Sequence, residues 1–486
     1  MKKKEYPRNT GKILRWFEEI SKIPRQSKHE RKICQRLLNW AKENDLAAQI
    51  DQIGNIVIHV PATKGYEDAP TIILQAHVDM VCEKLFDSTH DFSNDPIELI
   101  YEENILRANN TTLGADNGIG VAFALSIALD QKIDHPDLEL LLTVEEESGL
   151  KGAISLDETL IKGDLLINLD AGDEKTFVIG CSGGANIRIT LPLKLVALNN
   201  DEWEPYILKT DGIKGGHSGV DIHLQRANAI KELISALDFC MDTLDFRIAY
   251  LKGGSATNAI PRYIETTLFI KQGEINLFRK EMKKIEAIIQ REYRNTDPNI
   301  SLILEENKAF SSLQAMSKES NRKIIKTILA LPDGVESMSK TINGLVDTSN
   351  NLATAAIEND RLVVLTSLRS SSSRLIAFQN QITSIVELIG GRYLLLDEYP
   401  GWEANLDSPL LKICKDVYRN LFLEDPVIEI IHAGLECGII GRKRPGIDMI
   451  SLGPKIRNEH SPSECIYIDT IEHTWNLIVG VLAKIQ

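Results

Sequence analysis

The sequence predicts an α/β protein in which a helix-covered, largely parallel sheet is interrupted by a large α+β insertion. Helical segments alternate with short apolar runs up to about residue 184, and this alternation returns after residue 400. Between them the strand-like segments alternate polar and apolar residues, as in an antiparallel sheet with helices on one face. A chain of 486 residues also exceeds what one hydrophobic core usually organises. We therefore expect a discontinuous first domain at 1–184 and 401–486 and an inserted domain at 185–400.

The elements of the first domain follow from hydrophobic periodicity. ERKICQRLLNWAKEN repeats apolar residues at helical spacing, whereas NIVIHV and APTIILQAHVDM contain apolar runs of strand length. NGIGVAFALSIALD is apolar nearly all round, which favours a buried helix. LELLLTVEEE, DLLINLDAGD and DMISLG predict three more strands, and IEHTWNLIVGVLAKI predicts a closing helix.

The inserted domain shows a series of strands and helices that occurs twice. Helices are predicted at NAIKELISALDFCM, LFRKEMKKIEAIIQREY, NRKIIKTILAL and SRLIAFQNQITSIVELIGG, with a strand at ISLILEE. We therefore expect two α+β units within 185–400.

Composition narrows the functional classes. The formal net charge of -14, with no basic run beyond the initial KKK, argues against a nucleic-acid partner. No apolar stretch approaches the roughly 18–20 residues that span a bilayer, and the start of the chain lacks the apolar region of a secretory signal, so we expect a cytoplasmic protein without a membrane partner. Seven cysteines without C-x-x-C spacing indicate reduced thiols. A metal would therefore bind to His, Asp and Glu.

Acidic and histidine side chains follow the predicted strands. His77 and Asp79 follow IILQA, Glu145–Glu147 follow LLLTV, Asp170 follows LLINL, and His460 comes soon after DMISLGP. In open parallel sheets the ligand crevice lies beyond the carboxyl ends of the strands. His77 and Asp79 share one face of their strand, so the aspartate can bind the second ring nitrogen of a metal-ligating histidine. Taken alone, such a pair is more often incidental.

Asp116, in LGADNGIG, is predicted to cap the buried helix, where the helix dipole favours a carboxylate. A plain cap without a ligand role is the alternative. Oxygen and imidazole donors without thiolate suit zinc, manganese or cobalt, and a bridging carboxylate suits a pair of ions. Two such ions about 3.5–4 Å apart can polarise a carbonyl and deliver a hydroxide. These residues predict hydrolysis of an amide or ester.

Six motifs occur in an order that resembles the dinuclear-metal M20 peptidases: HVDM, GADNGIG, EEESG, NLDAGD, GGHSG and EHSPSE. HAGLECGI and GPKIRNEHSPSE resemble the aminoacyl-histidine dipeptidase branch most. The resemblance implies a zinc-peptidase catalytic domain that carries an inserted lid domain. It also implies two divalent ions, zinc in the first place, with manganese or cobalt as alternatives. One ion would be held by His77, Asp116 and Asp170, and the other by Asp116, Glu147 and His460.

The resemblance also assigns Glu146 as the general base and Asp79 as the residue that orients His77. Period-two alternation would instead place Glu145 and Glu147 on one face. The motif therefore requires the strand to end before this turn, and Gly149 favours such a break.

In the lid, the resemblance selects His217 in KGGHSGVD to stabilise the oxyanion. Asn258 in SATNAIPR and Arg369 in LTSLRSS would meet the substrate backbone and its terminal carboxylate, which suits the planar fork of arginine. Glu436 in HAGLECGI would meet a substrate ammonium group, or together with His432 it would only shape the pocket. An ordinary solvated loop histidine, turn amide or surface cation remains the alternative at the first three positions.

The predicted function is that of a cytoplasmic metallodipeptidase for unblocked dipeptides of the Xaa-His, carnosine-like type, in which a hydroxide bridging the ions attacks and Glu146 moves the proton. Many relatives of this kind are homodimers that take the oxyanion histidine from the partner; the longer lid here leaves open whether His217 acts within its own chain. The alternatives are an N-acyl amino acid deacylase with the same metal centre and a catalytically inactive metal-binding scaffold. A phosphate loop at TLGADNGIG is disfavoured because no Gly-Lys-Ser/Thr follows.

Overall fold

The fold is taken from a computed structural model of the chain, which describes residues 6–199, 201–310, 312–340, 342, 344–372 and 374–486. The initial KKK run lies outside these residues. None of the helices in the described residues is long and apolar enough to cross a membrane. In chain order the α-helices are α1 (Arg8–Ser21), α2 (Arg31–Glu43), α3 (Ala115–Ala128), α4 (Lys151–Ser155), α5 (Ala229–Met241), α6 (Ile275–Glu292), α7 (Lys318–Ala330), α8 (Arg374–Leu388), α9 (Pro409–Phe422), α10 (Glu436–Lys443) and α11 (Ile468–Leu482).

The strands include both the predicted apolar runs and several short polar segments. In chain order they are β1 (Ala47–Ile50), β2 (Ile56–Val60), β3 (Ile72–His77), β4 (Leu99–Glu102), β5 (Ile105–Ala108), β6 (Leu138–Thr143), β7 (Leu165–Asn168), β8 (Thr176–Cys181), β9 (Gly183–Pro192), β10 (Leu195–Ala197), β11 (Trp203–Asp211), β12 (Gly216–His217), β13 (Phe246–Gly253), β14 (Ala259–Ile260), β15 (Ile264–Lys271), β16 (Ser301–Glu306), β17 (Gln314–Met316), β18 (Gly334–Met338), β19 (Val346–Glu358), β20 (Arg361–Ser370), β21 (Arg392–Tyr399), β22 (Val427–Ile431), β23 (Asp448–Ser451), β24 (Ile456–Arg457) and β25 (Cys465–Tyr467).

The chain divides into two compact units. The first unit comprises Met1–Cys181, Trp402–Ile430 and Leu435–Gln486, and the inserted unit comprises Ser182–Gly401 and Ile431–Gly434. The insertion thus interrupts a discontinuous α/β unit.

The first unit is organised by an eight-stranded sheet of order β1-β2-β6-β3-β7-β23-β8-β22. The four central strands β6, β3, β7 and β23 are parallel, and every residue of β3 and β6 is buried. Strands that are buried on both faces need a largely continuous apolar sequence, and such runs predict β3 and β6 from the sequence. β2 and β8 instead pair antiparallel with β6 and β23, so the parallel region occupies only the middle of the sheet.

A second, four-stranded sheet of the first unit has the order β24-β25-β5-β4 and antiparallel pairing. Its strands have only two to four residues each, too few for a periodic pattern. It holds the ends of the segment between β24 and β25, which contains His460 and Glu464.

The inserted unit contains a nine-stranded sheet of order β16-β11-β15-β13-β19-β20-β9-β21, with β18 paired to β19. Its neighbouring strands run antiparallel. Helices α5, α6, α7 and α8 contribute buried apolar residues to the core that also takes in the sheet's inner face. The division of this region into two α+β units stays a prediction.

Candidate metal centre

The carboxyl ends of the central parallel strands lie side by side. His77 at the end of β3 pairs with Thr143 at the end of β6, and Gln75 pairs with Asn168 at the end of β7. The residues that follow these strands therefore emerge at one edge of the sheet.

In the acidic turn after β6, the strand has ended before Glu146 and Glu147. β6 ends at Thr143, and Glu145 has a left-handed φ of 50°. The N–H groups of Glu146 and Glu147 donate to Asp79 Oδ1 and Oδ2, both at 3.1 Å. Strand alternation has therefore stopped before the two glutamates.

Side chains from five segments converge into possible metal-binding sets. Ligand atoms lie within 4.8 Å of one another in each of three groups: His77, Asp116 and Asp170; Asp116, Glu147 and His460; and His77, Glu146 and Glu147. Asp116 Oδ1 is 3.0 Å from His77 Nε2, and Asp116 Oδ2 is 3.2 Å from His460 Nε2. Each oxygen of this one carboxylate thus faces a different histidine.

Negative charge is crowded in this cluster, whose carboxylates are half-buried. Burial, and then the neighbouring Asp116, raises the pKa of Asp170 to about 7. Burial likewise raises the pKa of Glu147, and that of Glu146 well above its ordinary value. Burial opposes a charge on His77, but nearby carboxylates, Asp170 first among them, raise its pKa well above the ordinary value. The raised pKa values mean that these groups tend to hold protons, which offset the negative charge of the carboxylates. Bound divalent cations could offset the same negative charge instead.

The residues fit divalent ions. Glu147 Oε1 is buried and has no hydrogen-bond partner among the described residues, while Glu147 Oε2 lies 3.0 Å from His460 Nε2. A buried carboxylate oxygen without a donor is costly unless something else binds it. The donor set is imidazole and carboxylate, which suits zinc, manganese or cobalt.

Asp79 fixes the ring of His77. It is 0% exposed, and its Oδ1 lies 3.3 Å from His77 Nδ1. A proton on Nδ1, facing Asp79, leaves Nε2 free to act as the ligand atom. Nε2 is also the atom that faces Asp116.

Glu436 lies in the first unit and is 1% exposed. Its Oε2 accepts hydrogen bonds from Gln75 Nε2 at 2.5 Å and Thr143 Oγ1 at 2.7 Å, while Oε1 has no partner among the described residues. Burial raises its pKa to about 7. Its predicted contact with a substrate ammonium group stays a prediction.

In the inserted unit, His217 and Asn258 are held together by pairing of β12 and β14. His217 pairs with Ala259, and Ser218 N–H donates to Asn258 O at 2.8 Å. His217 Nδ1 accepts the N–H groups of Gly219 and Val220 at 3.1 and 3.0 Å. The neutral ring therefore carries its proton on Nε2, as a donor to an oxyanion must.

Arg369 and His432 lie next to the same loop. A Cβ on Gly219 would come within 2.4 Å of His432 O, 3.2 Å of His217 Cε1 and 3.4 Å of Arg369 Nε. Arg369 is 9% exposed; Nη1 donates to Tyr399 Oη at 2.9 Å, and Nε has no partner among the described residues. The three predicted lid residues are therefore neighbours within the inserted unit.

His432, whose role the motif leaves open, lies 2.7 Å through Nε2 from Ser349 Oγ. Burial, with Arg369 second, lowers its pKa to about 4. It is a neutral group at physiological pH.

Comparison with models of known protein families identifies the family of this chain. The model of "Peptidase family M20/M25/M40" matches residues 73–484, which includes every residue of the cluster. The chain belongs to this peptidase family.

Two relatives that are 35% identical to this M20 peptidase match nearly its full length. The cytosol non-specific dipeptidase of Escherichia coli (strain K12) is 35% identical over 472 residues, 96% of each chain. The crystal structure of aminoacylhistidine dipeptidase from Vibrio alginolyticus is similar with a TM-score of 0.88 and 35% identity, covering 98% of this chain and 96% of that one. The aminopeptidase PepT of Bacillus cereus, at 16% identity and a TM-score of 0.57 over 98% of both chains, shares the fold.

The predicted role of Asp116 as a helix N-cap is wrong in this M20 peptidase. Gly114 occupies the N-cap position of α3, and Asp116 lies in the first turn with a non-helical ψ of 106°. The backbone N–H groups there are bound by Glu464 instead. The Asp116 carboxylate is therefore directed to the histidines. Sequence reasoning missed Glu464, although it lies in the quoted motif EHSPSE.

Proposed function

We propose that this M20 peptidase is a metal-dependent dipeptidase that hydrolyses unblocked dipeptides, Xaa-His dipeptides among them. The observation that carries the proposal is Asp116, whose two oxygens face two separate ligand sets with Glu146 beside them. The names of the two full-length relatives, a non-specific dipeptidase and an aminoacylhistidine dipeptidase, support the reaction class.

Two divalent ions, zinc in the first place, are proposed cofactors. His77, Asp116 and Asp170 would hold one ion, and Asp116, Glu147 and His460 the other. Such ions supply Lewis acidity toward the scissile carbonyl and lower the pKa of water. The rest of the chemistry falls to side chains of the chain itself.

Glu146 is proposed to accept a proton from the attacking water at its carboxylate and to pass it to the leaving amine. Burial raises the pKa of Glu146, and a carboxylate with a raised pKa accepts a proton from water more readily. Asp79 holds the backbone N–H of Glu146 and so fixes the position of the base.

In the inserted unit, His217 is proposed to donate from Nε2 to the substrate's carbonyl oxygen. Arg369, whose Nε has no hydrogen-bond partner in the described part of the chain, would bind the terminal carboxylate, and Asn258 the substrate backbone. Recognition of a free carboxylate next to the scissile bond would restrict cleavage to the C-terminal peptide bond, and recognition of the free ammonium group as well would limit substrates to dipeptides. Glu436 is proposed to contact the substrate's ammonium group.

A cytoplasmic location is also proposed. All seven cysteines are free thiols, as is usual in a reducing compartment, and the Escherichia coli relative is named a cytosol enzyme. For His217 two arrangements are proposed. It acts either within its own chain or, in a homodimer, on the substrate of the partner subunit.

The deciding experiment is hydrolysis by chelator-stripped protein, with and without added zinc or manganese. The substrates are Ala-His, Ala-Ala, Ala-Ala-His, N-acetyl-Ala-His and N-acetyl amino acids. We expect metal-dependent cleavage of the two free dipeptides only. Turnover of the acetylated amino acids would instead show a deacylase, and bound metal without any turnover would show a scaffold.

Glu146→Gln tests the base, with Glu145→Gln as the matched control in the same turn. The Glu145 carboxylate contacts Ser148 and Lys151 and belongs to none of the ligand sets. We expect Glu146→Gln to lower kcat about 10²–10⁴-fold while two zinc ions still bind, and Glu145→Gln to retain activity. Loss of a zinc ion from Glu146→Gln would make Glu146 a ligand, and unchanged kcat would exclude it as the base.

A further inference from the structure

The start of α3 presents a problem of backbone hydrogen bonding. The first N–H groups of a helix have no partner within the helix, and here the first turn is not regular, because Asp116 and Asn117 have non-helical dihedral angles. This turn carries the carboxylate that both ligand sets share. Something other than the helix must hold it.

Glu464 supplies the missing acceptors. Its side chain is 2% exposed. Oε2 accepts the N–H groups of Leu113 and Gly114 at 2.8 and 3.0 Å, and Oε1 accepts those of Ala115 and Asp116 at 2.8 and 3.3 Å. One carboxylate thus binds four successive backbone donors, the last of which belongs to Asp116 itself. Burial raises the pKa of Glu464 to about 7 while backbone N–H groups of this turn act to lower it, and the hydrogen bonds are strongest when the carboxylate is charged.

Arg25 holds the same turn from its carbonyl side. It is 2% exposed, and Nη2 donates to Gly114 O at 2.5 Å. Nη1 donates to Val78 O and Asp79 O at 3.1 and 2.8 Å, in the segment directly after His77. The turn is therefore tied to one neighbouring ligand segment by Arg25 and to another by Glu464, which lies four residues after His460.

We propose that Glu464 is a positioning residue for the metal centre, which holds the turn at residues 113–116 so that Asp116 faces both ligand sets at once. Its own carboxylate is occupied by backbone donors and is not a ligand. The inference rests on the proposed ligand role of Asp116. It predicts a signature that distinguishes it from a ligand: loss of Glu464 weakens both ions together, because both depend on Asp116.

The test is zinc binding by purified full-length protein, measured by competition with a chromophoric chelator. Glu464→Gln keeps the size of the side chain but replaces one acceptor oxygen with an NH₂ group that faces backbone donors. We expect about 10–100-fold weaker binding of both zinc ions, the usual effect of losing a residue that orients ligands. Asp170→Asn serves as the ligand comparison and should weaken one ion more than the other.

Glu139→Gln is the matched control. Glu139 is also 2% exposed and also accepts backbone N–H groups, from Lys162 and Gly163, but it lies at the beginning of β6, the end of the strand opposite the metal centre. We expect the zinc affinity of Glu139→Gln to match that of the wild type, even if its unfolding midpoint is lower.

Each outcome decides a separate point. If wild-type protein binds no zinc, the proposed function fails. If wild-type protein binds two ions and folded Glu464→Gln binds both as tightly, this inference alone is overturned. Glu464→Gln that is less stable but has wild-type affinity would reduce Glu464 to a structural role. Should Glu464→Gln not fold, Glu464→Asp keeps the charge on a shorter side chain; wild-type zinc affinity and an unchanged Co²⁺ absorption spectrum in that variant would overturn the inference.

Discussion

Asp79→Asn is the sharpest test of how the metal centre is held. The buried Asp79 carboxylate accepts hydrogen bonds from Ser27 Oγ at 2.7 Å and from the N–H groups of Glu146 and Glu147 at 3.1 Å, and its Oδ1 lies 3.3 Å from His77 Nδ1. Burial opposes its charge, but His77, Ser27 and the Glu146 N–H lower its pKa below the ordinary value. Asparagine has one acceptor oxygen, so its NH₂ group must face at least one of these donors.

The expected magnitude follows from the bonds lost. One hydrogen bond to a charged acceptor contributes about 1.5–3 kcal/mol, which is roughly a 10–150-fold change in an equilibrium constant, close to the range of about 10–100 seen when a partner of a metal ligand is removed. We expect zinc affinity and kcat/KM for Ala-His to fall by about this factor, because the same residue orients His77 and fixes Glu146.

Zinc competition and steady-state kinetics at saturating zinc separate the two contributions. Ser27→Ala is the control, since it removes one donor and leaves the carboxylate and the other three contacts in place; we expect a change of less than about threefold. Asp79→Asn with wild-type zinc affinity and wild-type kcat at saturating zinc would refute the reasoning.

Two further predictions concern the inserted unit. Arg369→Lys keeps the charge but loses the planar fork, so we expect KM for Ala-His to rise roughly tenfold and KM for Ala-histidinamide, which lacks the carboxylate, to stay unchanged; an equal rise for both substrates would exclude a carboxylate contact. Burial raises the pKa of Glu232 to about 7, and Tyr293 donates to its Oε1 at 2.9 Å. Because the folded state then holds this proton more tightly than the unfolded state, stability should fall as pH rises from about 4.5 to 7 and stay low above that. Glu232→Gln should therefore be more stable than wild type at pH 8, by about 2 kcal/mol after allowance for partial exposure, and equal to it near pH 4.5; urea midpoints of the metal-free proteins at both pH values check this, and equal midpoints at pH 8 would contradict it.

The parts of the fold that the sequence predicts well are those with strong periodicity. β3, β6, β7 and β23 are buried on both faces and appear as continuous apolar runs. β1 has the short, mostly exposed sequence AAQI, which carries no alternation that could identify it. The short strands of the four-stranded sheet also cannot be identified from their local sequence, because their pairing depends on partners that are distant in sequence.

The same limit explains what was missed at the metal centre. Side chains at strand ends could be grouped because parallel strands place their carboxyl ends together. The partner of the Asp116 N–H lies 348 residues away, and local sequence offered only the wrong expectation that Asp116 caps its own helix. The contact of Glu464 with the turn requires the tertiary structure.

The acidic side chains at this centre are of two kinds, which differ in what their oxygens contact. Asp116, Asp170 and Glu147 direct their oxygens toward histidines and toward one another, where burial and mutual repulsion raise the pKa of Asp170 and Glu147. Asp79 and Glu464 instead direct theirs toward backbone N–H groups of the ligand-bearing segments. The second kind fixes the main chain, whereas the first kind faces the histidines, with Asn117 Nδ2 as a further donor to Asp170 Oδ1 at 2.7 Å. Because backbone contacts do not distinguish between zinc, manganese and cobalt, the choice of metal must come from the ligand atoms themselves.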